Sequence, residues 1–315
     1  MTARAARQSR LRTVLAKYGL LGCVKRAAAM GFSHLRAALP LRALLRPDSF
    51  RRALRHSLSG DFDRVILWRS SFGFDAALYQ RPQQIARQLA MQRCLVLYEA
   101  NPLSDRVTSL RRQEERLLLL NLRSPALRRM LMQELARVKQ PKYLQLYSTN
   151  KEMPLRGLKA YIRHGFGVIY EYVDALSPEI FGTRTLPKHV AEKFSYTMTH
   201  PEITVVATAE LLRRDVIRRR GERNLILASN GVDYSFFQHW DAYSFEPVFQ
   251  EILSRGRPIL CYYGALASWV DDELLRQIAA TGKYSLVLIG IKYDGSFDEK
   301  LRGVPGIDYL GPRGY

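Results

Sequence analysis

The stretch Leu225-Ile226-Leu227-Ala228-Ser229-Asn230-Gly231-Val232-Asp233 decides the fold, because it ends one α/β unit and leads into another. Residues 225–229 form a short apolar run that is typical of a buried strand. The Asn230-Gly231 pair predicts a turn, since both residue types tolerate a positive φ. In an open α/β sheet, ligands bind beyond the carboxyl ends of the strands. The turn is therefore a candidate edge of a binding crevice, and an ordinary loop between a strand and a helix is the alternative.

Short apolar runs alternate with amphipathic helical runs from residue 61 onward. The apolar runs, each predicted to be a strand, are 65–68, 94–98, 117–120, 143–147, 167–170, 203–207 and 225–228. Helical patterns lie between them, for example over 83–92, 124–138, 186–199 and 209–220. Continuous apolar strands separated by helices are typical of a parallel sheet covered on both faces. The sequence thus predicts a complete Rossmann-like domain over residues 61–245.

A second unit of the same kind is predicted over residues 246–315. Strand patterns occupy 258–263, 284–290 and 307–311, and a helical pattern occupies 271–281. A domain of this type typically needs about 100 residues or more. We therefore expect the second domain to be incomplete in this chain. The predicted fold class is α/β, with one complete and one partial Rossmann-like domain.

The net charge of +20 is concentrated near the N-terminus. Residues 1–60 hold thirteen Lys and Arg residues and one acidic residue, a net charge of +12. Apolar residues recur there at helical spacing, so a basic amphipathic helical extension is predicted. Such helices can bind an anionic membrane surface, and packing on the body of the protein or a solvated basic helix is the alternative. Nucleic acid is not expected as a partner, because aromatic residues are sparse and no nucleic-acid motif is present.

The sequence predicts a cytoplasmic protein, with peripheral binding to the inner face of the membrane as an extension of that hypothesis. No apolar run reaches the roughly 18 residues that span a bilayer. Lys17, Lys25 and Arg26 interrupt what would be the apolar core of a signal peptide. Cys94 and Cys261 lie in apolar runs without metal or redox spacing, and are predicted to be small core residues.

Five short motifs occur in order along residues 61–315. They are Arg81-Pro82-Gln83, Asn230-Gly231-Val232-Asp233 followed by Phe236 and Phe237, Tyr262-Tyr263-Gly264-Ala265 followed by Trp269 and Asp271, Leu288-Ile289-Gly290, and Tyr309-Leu310-Gly311-Pro312-Arg313. Their order and spacing resemble those of bacterial glycosyltransferases of the GT-B fold, near the family-4 (group 1) type. The resemblance implies two Rossmann-like domains that face each other across a cleft, with the C-terminal donor domain truncated.

The resemblance also implies a reaction. A hexosyl group would move from a nucleoside-diphosphate sugar to a hydroxyl of a glycan or lipid-linked acceptor, with retention of configuration, in cell-surface polysaccharide or glycolipid synthesis. Gly264, Gly290 and Lys292 would lie on the donor side, where backbone N–H groups and a cation can stabilise the diphosphate. Arg81 and Gln84 would lie on the acceptor side.

Three further residues are placed by the same resemblance at the floor of the cleft, near the hinge between the domains. They are Asn230, Gly231 and Asp233. No cofactor is expected, because the nucleotide sugar is a substrate. No metal is expected either, because no metal-ligand spacing occurs.

Acidic and polar residues also follow two of the predicted strands. Asp174 is a weak candidate catalytic residue, because relatives have an aspartate at the matching position; a helix-capping carboxylate is the alternative. Glu99, Asn101 and Asp105 are interpreted as loop residues, with a role in the cleft as the alternative. The catalytic residues are otherwise unknown from the sequence.

Two departures from the family pattern leave a second hypothesis open. Residues 264–269 contain no basic residue, whereas the enzymes that this chain resembles carry Arg and Lys there, and Lys292 is the nearest substitute. The acidic Glu-x7-Glu element of the family would lie beyond Tyr315. The alternative is a non-catalytic scaffold or binding protein with a degenerate, truncated glycosyltransferase body.

Overall fold

The computed structural model describes residues 47–70, 72–76, 79–101, 104–178, 181, 183–232, 234–238 and 246–313. The chain divides into two compact units, of which the first ends at Gly231 and the second begins at Val232. Most of the predicted extension, residues 1–46, lies outside the described residues, and so does Asp233. The domain boundaries after residues 60 and 245 stay a prediction.

The first unit is an α/β unit with one large sheet. Its elements in chain order are α1 (Pro47–Leu58), β1 (Arg64–Arg69), α2 (Arg81–Met91), β2 (Cys94–Glu99), β3 (Leu110–Glu114), β4 (Leu117–Leu120), α3 (Pro125–Leu135), β5 (Lys142–Tyr147), α4 (Leu155–Arg163), β6 (Gly167–Tyr172), α5 (Lys188–Met198), β7 (Thr204–Ala207), α6 (Glu210–Arg220) and β8 (Leu225–Leu227).

Eight strands form this sheet, in the order β3-β4-β2-β1-β5-β6-β7-β8. Every pair is parallel except β3–β4, which is antiparallel. The chain runs outward in one direction from β1 through β2 and in the other direction from β5 through β8. The strand order therefore reverses between β1 and β5, and this is where an open α/β sheet forms a crevice at its carboxyl edge.

The two faces of the sheet are covered by different helices, because side chains alternate along each strand. Leu67, Leu97 and Leu144 lie side by side in register and belong to the larger core, which also contains residues of α1, α3, α4, α5 and α6. Trp68 points to the other face and belongs to a smaller core with Ala86 of α2. The continuous apolar strands thus reflect burial on both faces, as the sequence predicts.

Helix α1 is the described part of the predicted basic extension, and it packs on the first unit. Phe50 and Leu54 are buried in the larger core. Arg55 donates from Nε and Nη2 to the two carboxylate oxygens of Glu134 in α3, at 2.8 Å each. Of the alternatives left open by the sequence, residues 47–58 therefore show packing on the body of the protein.

The second unit contains a three-stranded parallel sheet in the order β11-β10-β9. Its elements are α7 (Tyr234–Phe237), α8 (Pro247–Ser254), β9 (Ile259–Tyr263), α9 (Asp272–Ala280), β10 (Ser285–Ile289), α10 (Ser296–Lys300) and β11 (Ile307–Gly311). Its core is built around Leu286 and Leu288 of the central strand, with Leu275 of α9 and Phe297 of α10.

Two details differ from the sequence-based predictions. Strand β3 was not predicted, because its sequence Leu-Arg-Arg-Gln-Glu is polar and it pairs only at the edge of the sheet. Cys94 is buried as predicted, but Cys261 is exposed. Leu260 and Cys261 point to opposite faces of β9 and both are exposed, so neither face of this strand is fully covered. No helix in the described part of the chain has the length and hydropathy needed to cross a membrane.

Candidate functional site

A buried polar cluster lies at the carboxyl edge of the first sheet, next to the reversal of strand order. Glu171, at the end of β6, accepts a hydrogen bond from Arg81 Nε at 3.1 Å and another from Gln145 Nε2 at 2.6 Å. Glu171 and Gln145 are buried. Burial raises the pKa of Glu171, and the charge of Arg81 opposes that rise. The cluster thus keeps a carboxylate and a guanidinium together with little contact with water.

The Arg81 guanidinium also reaches the turn that follows β8. Its Nη1 donates to Ser229 O and to Asn230 Oδ1, at 3.3 Å each. The structure therefore brings together two residues that the sequence placed separately, one on the acceptor side and one near the hinge. The turn itself is exposed, and neither Asn230 nor Gly231 has a positive φ, contrary to the turn chemistry expected for an Asn-Gly pair.

The two glutamines of the Arg-Pro-Gln-Gln segment have different environments. Gln83 is buried, donates from Nε2 to Gly73 O at 2.9 Å, and accepts a hydrogen bond from Gln80 N at 3.2 Å. Gln84 is half-buried, and its predicted role on the acceptor side stays a prediction. Gln83 therefore has the structural task of closing the loop between β1 and α2.

Asp174 lies two residues beyond the end of β6 and is exposed. Its alternative interpretation as a helix cap is wrong, because residues 175–178, which follow it directly, are not helical. The preceding residue, Val173, is fixed by hydrogen bonds with Ser148 Oγ and Thr208 Oγ1 at 3.3 and 3.0 Å. Asp174 thus follows an anchored strand end and remains the candidate catalytic residue.

The sequence analysis missed a second buried ion pair, at the ends of β1 and β2. Arg69 donates to the two oxygens of Glu99 at 2.8 and 2.9 Å, and both side chains are buried. The interpretation of Glu99 as a loop residue is wrong, because Glu99 is the last residue of β2. Asp105 does lie in the loop between β2 and β3, as predicted, but it is not a solvated loop residue. Asp105 is fully buried and accepts backbone N–H bonds from Phe74, Asp75 and Asn101. The sequence signal for the Arg69–Glu99 pair is that each of these charged residues directly follows a predicted apolar strand.

In the second unit, the two predicted donor-side glycines pack backbone against backbone. Gly264 and Gly290 follow β9 and β10 and have φ values of +156° and +147°. A Cβ atom on Gly290 would lie 1.7 Å from the carbonyl oxygen of Gly264. Gly264 N donates to Ile289 O at 2.9 Å. Only glycine fits this arrangement, which leaves the backbone at the carboxyl edge free of side chains.

Lys292, the predicted donor-side cation, is engaged within the second unit. Its Nζ lies 2.7 Å from Asp298 Oδ1 and sits over the rings of Phe297 and Tyr309, at 4.5 and 4.9 Å from their centres. The backbone of Lys292 pairs with that of Leu266, in the segment after Gly264. Lys292 is thus near the first turn of this unit, but a carboxylate already compensates its charge.

The N-terminus of α9 already carries three carboxylates. Asp271 caps it, accepting a hydrogen bond from Leu274 N at 3.0 Å, and Asp272 and Glu273 occupy the first turn. These carboxylates satisfy the helix dipole and repel a second anion. Among the described residues, no group of His, Cys, Asp and Glu side chains is arranged to hold a metal ion.

Comparison with known proteins identifies the fold. No protein-family model matches the chain, and no curated protein matches its sequence significantly. Among solved structures, a sucrose-phosphate synthase from Thermosynechococcus elongatus is similar with a TM-score of 0.55 and 12% identity, covering 80% of this chain and 71% of that one. An α,α-trehalose-phosphate synthase (UDP-forming) from Burkholderia vietnamiensis has a TM-score of 0.49 and 12% identity, over 81% of this chain and 73% of that one. HepE from Anabaena, in complex with UDP and glucose, has a TM-score of 0.43 and 15% identity, over 80% of this chain and 70% of that one.

The similarity to sucrose-phosphate synthase concerns the fold, because the sequences share so few residues. It agrees with the architecture described above, an α/β chain with a large mixed sheet followed by a smaller parallel sheet. The fold class predicted from the sequence, that of GT-B glycosyltransferases, is thus confirmed.

Proposed function

We propose that this protein is a glycosyltransferase that uses a nucleoside-diphosphate sugar as donor. The reaction would transfer a hexosyl group to a hydroxyl of a glycan or lipid-linked acceptor, in cell-surface polysaccharide or glycolipid synthesis. Retention of configuration, and peripheral association with the inner face of a membrane through residues 1–60, belong to the same proposal. The similarity of fold to a sucrose-phosphate synthase supports the reaction class.

The apposition of Gly264 and Gly290 is the observation that carries this proposal. A sugar diphosphate is recognised by backbone groups at the carboxyl edge of a Rossmann-like sheet, and such contact needs positions without side chains. These two glycines provide them at the ends of neighbouring strands. Their close packing also fixes the direction of the backbone, so that the edge is formed before a ligand arrives.

Arg81, Gln84 and Asp174 would act on the acceptor side. Asp174 is exposed beyond the end of β6, while Glu171 of the same strand is buried and paired with Arg81. The ion pair orients the start of α2, and the exposed carboxylate of Asp174 can accept a proton from an acceptor hydroxyl. Asn230 and Gly231 would adjust the chain at the boundary of the first unit, and Asp233 is proposed to act with them although it lies outside the described residues.

The test is donor binding and turnover by the 315-residue chain. UDP-glucose and GDP-mannose are titrated calorimetrically, and release of nucleoside diphosphate is measured with each. The Gly264→Trp variant places a large side chain at the proposed diphosphate contact. The Gly295→Ala variant is the matched control, because a Cβ there would have its nearest contact at 3.8 Å, with Glu299 Oε1.

We expect saturable binding of at least one donor, loss of that binding in Gly264→Trp, and normal binding in Gly295→Ala. If neither donor binds to the unmodified chain, or if Gly264→Trp binds as well as the control, the proposed donor site is wrong. Circular dichroism spectra of the variants show whether each one is folded, so that a loss of binding can be assigned to the site.

A scaffold or binding protein with a glycosyltransferase-like body is the second candidate. Two observations favour it: Asp298 compensates the charge of Lys292, and Asp271 caps the N-terminus of α9. Both remove positive charge from the place where the diphosphate would bind. Donor binding without release of nucleoside diphosphate would leave a binding role, and turnover would exclude this candidate.

A further inference from the structure

A cavity of about 640 Å³ lies in the first unit, among the helices that cover one face of the sheet. Residues of α3, of α4 and of the loop before α4 line it, together with Arg69 at the end of β1 and His189 in the first turn of α5. Its volume is in the range of about 300–1,000 Å³ that is usual for sites of small molecules. It is therefore large enough for a ligand the size of a monosaccharide derivative.

This cavity is separate from the Arg81 cluster, because the two lie on opposite faces of the sheet. Arg69 follows Val65 and Leu67 in alternation, and those residues belong to the larger core beneath α3 and α4. Gln145 and Glu171 alternate with residues of the larger core, so they point to the face that α2 covers. The proposed acceptor-side residues thus take no part in the cavity.

The lining of the cavity is rich in cationic side chains and in imidazoles. They are Arg69, Arg128, Arg129, Arg156, His164 and His189. Glu152 is the acidic residue among the described lining residues. These side chains come from several separate elements, so the charge is gathered by the fold and not by a run of basic sequence.

Three of these arginines have no ion-pair partner among the residues that the structure describes. Glu99 pairs with Arg69, but Arg128, Arg129 and Arg156 form no salt bridge with any residue that the structure describes. Arg128 Nη1 donates to two backbone oxygens, those of Leu122 and Arg123. Burial and the nearby charge of Arg69 lower the pKa of Arg128. An anion in the cavity would relieve this repulsion.

We propose that the cavity binds the phosphate group of a small phosphorylated carbohydrate. Guanidinium groups recognise phosphate through paired, charge-assisted N–H···O bonds. Arg128, Arg129 and Arg156 supply those donors, and the imidazoles of His164 and His189 lie in the same lining. The remaining volume, lined by Tyr161 and short residues of α4, accommodates the sugar.

Calorimetry on the 315-residue chain at constant ionic strength tests this proposal, with glucose 1-phosphate, inorganic phosphate and glucose as probes. The test variant is Arg129→Gln combined with Arg156→Gln; these side chains are exposed, so the fold is kept. Arg163→Gln is the control, because Arg163 is an exposed arginine of α4, the helix that holds Arg156, and is not among the residues that line the cavity. No nucleotide sugar is present, so the result is independent of the proposed donor site.

We expect saturable binding of glucose 1-phosphate and none of glucose. The double variant should weaken the affinity by about tenfold or more, as befits the loss of charge-assisted bonds, while Arg163→Gln keeps it. Tighter binding of the ester than of inorganic phosphate identifies a sugar phosphate as the ligand, and equal binding identifies free phosphate. Absence of binding to both phosphate probes, or equal weakening in the control, overturns the proposal.

Discussion

Glu171 holds Arg81 in a fixed position at the carboxyl edge of the first sheet. The two side chains are 3.1 Å apart and only 3% and 10% exposed, respectively. Through its second contact, with Asn230, the same guanidinium ties the start of α2 to the last turn of the first unit. One arginine thus fixes three segments that are far apart in the sequence.

Replacement of Arg81 by alanine should destabilise the first unit strongly. It leaves the buried carboxylate of Glu171 without its cation, which typically lowers the free energy of unfolding by about 3–5 kcal/mol. The loss should be larger at pH 8 than at pH 5. Without Arg81, the folded-state pKa of Glu171 rises further above its unfolded value, so stability is lost as the pH increases through that range. Urea denaturation at the two pH values measures this difference.

Arg87→Ala is the matched control on the same helix. Arg87 pairs with Glu114 at 2.7 Å, but the two side chains are 47% and 32% exposed. A pair of this kind contributes at most about 1 kcal/mol. The additional change Glu171→Gln should recover part of the stability lost in Arg81→Ala, since it removes the buried charge. Equal losses in Arg81→Ala and Arg87→Ala would show that the Arg81–Glu171 pair is no more than a surface contact.

The strands and most of the long helices could be predicted from the sequence, because burial on both faces leaves a continuous apolar run. The predicted strand at 94–98 corresponds to β2 over Cys94–Glu99, and the predicted helix at 209–220 corresponds to α6 over Glu210–Arg220. Strand β3 could not be predicted, because its sequence is polar and it lies at the edge of the sheet. An edge strand is specified by its partner and not by its own pattern.

Site residues could be predicted only where a backbone requirement or a motif marks them. Gly264 and Gly290 were selected as candidates because they follow strands in a motif, and their φ values explain why glycine is needed there. Glu171 was missed because a single charge inside Tyr170-Glu171-Tyr172 gives no sign of its partner, which is 90 residues away in the sequence. Pairing over such separations is a property of the strand order, which the sequence pattern leaves open.

Helix α1 should contribute to the stability of the first unit through its apolar face. Leu54 is fully buried in the larger core, so Leu54→Ala should lower the free energy of unfolding by about 2–5 kcal/mol. Arg52, on the exposed side of the same helix, is the control, and Arg52→Ala should change stability by less than about 0.5 kcal/mol. Chemical denaturation followed by circular dichroism compares the two. Equal stability of both variants would mean that α1 is not part of the folded core.

The buried amine of Lys193 predicts a gain in stability under alkaline conditions. Its Nζ donates to Asn150 O and Met153 O at 2.6 Å each, and burial lowers its pKa to about 8. In the unfolded chain the pKa of a lysine is about 10.4. The unfolded state therefore binds more protons between these values, and this group should make the free energy of unfolding rise with pH from about 8 to 10.4.

The contribution of Lys193 is measured as the difference between the unmodified chain and Lys193→Met from pH 7 to pH 10. Over this range, the free energy of unfolding of the unmodified chain should increase by up to about 3 kcal/mol relative to that of Lys193→Met. Lys188→Met is the control on the same helix, since Lys188 is 82% exposed. Measurement stops near pH 10 because burial raises the pKa of tyrosines such as Tyr170. Above that pH these tyrosines lower the free energy of unfolding as the pH rises, which would mask the effect of Lys193. A difference that does not vary with pH would contradict the prediction.

Gly290→Ala should unfold or distort the carboxyl edge of the second unit. The new Cβ would lie 1.7 Å from Gly264 O, which is backbone and cannot move aside as a flexible side chain can. Backbone strain adds to the clash, because the φ of +147° is rarely adopted by residues with side chains. The expected loss in the free energy of unfolding is on the order of 3 kcal/mol or more.

Gly295→Ala is the control, because Gly295 has an ordinary helical conformation with φ −77°. Its free energy of unfolding should stay within about 0.5 kcal/mol of that of the unmodified chain. Hydrogen exchange of β9 and β10 resolves the effect from that of the first unit, and equal protection in the two variants would show that Gly264 and Gly290 are not packed together in solution.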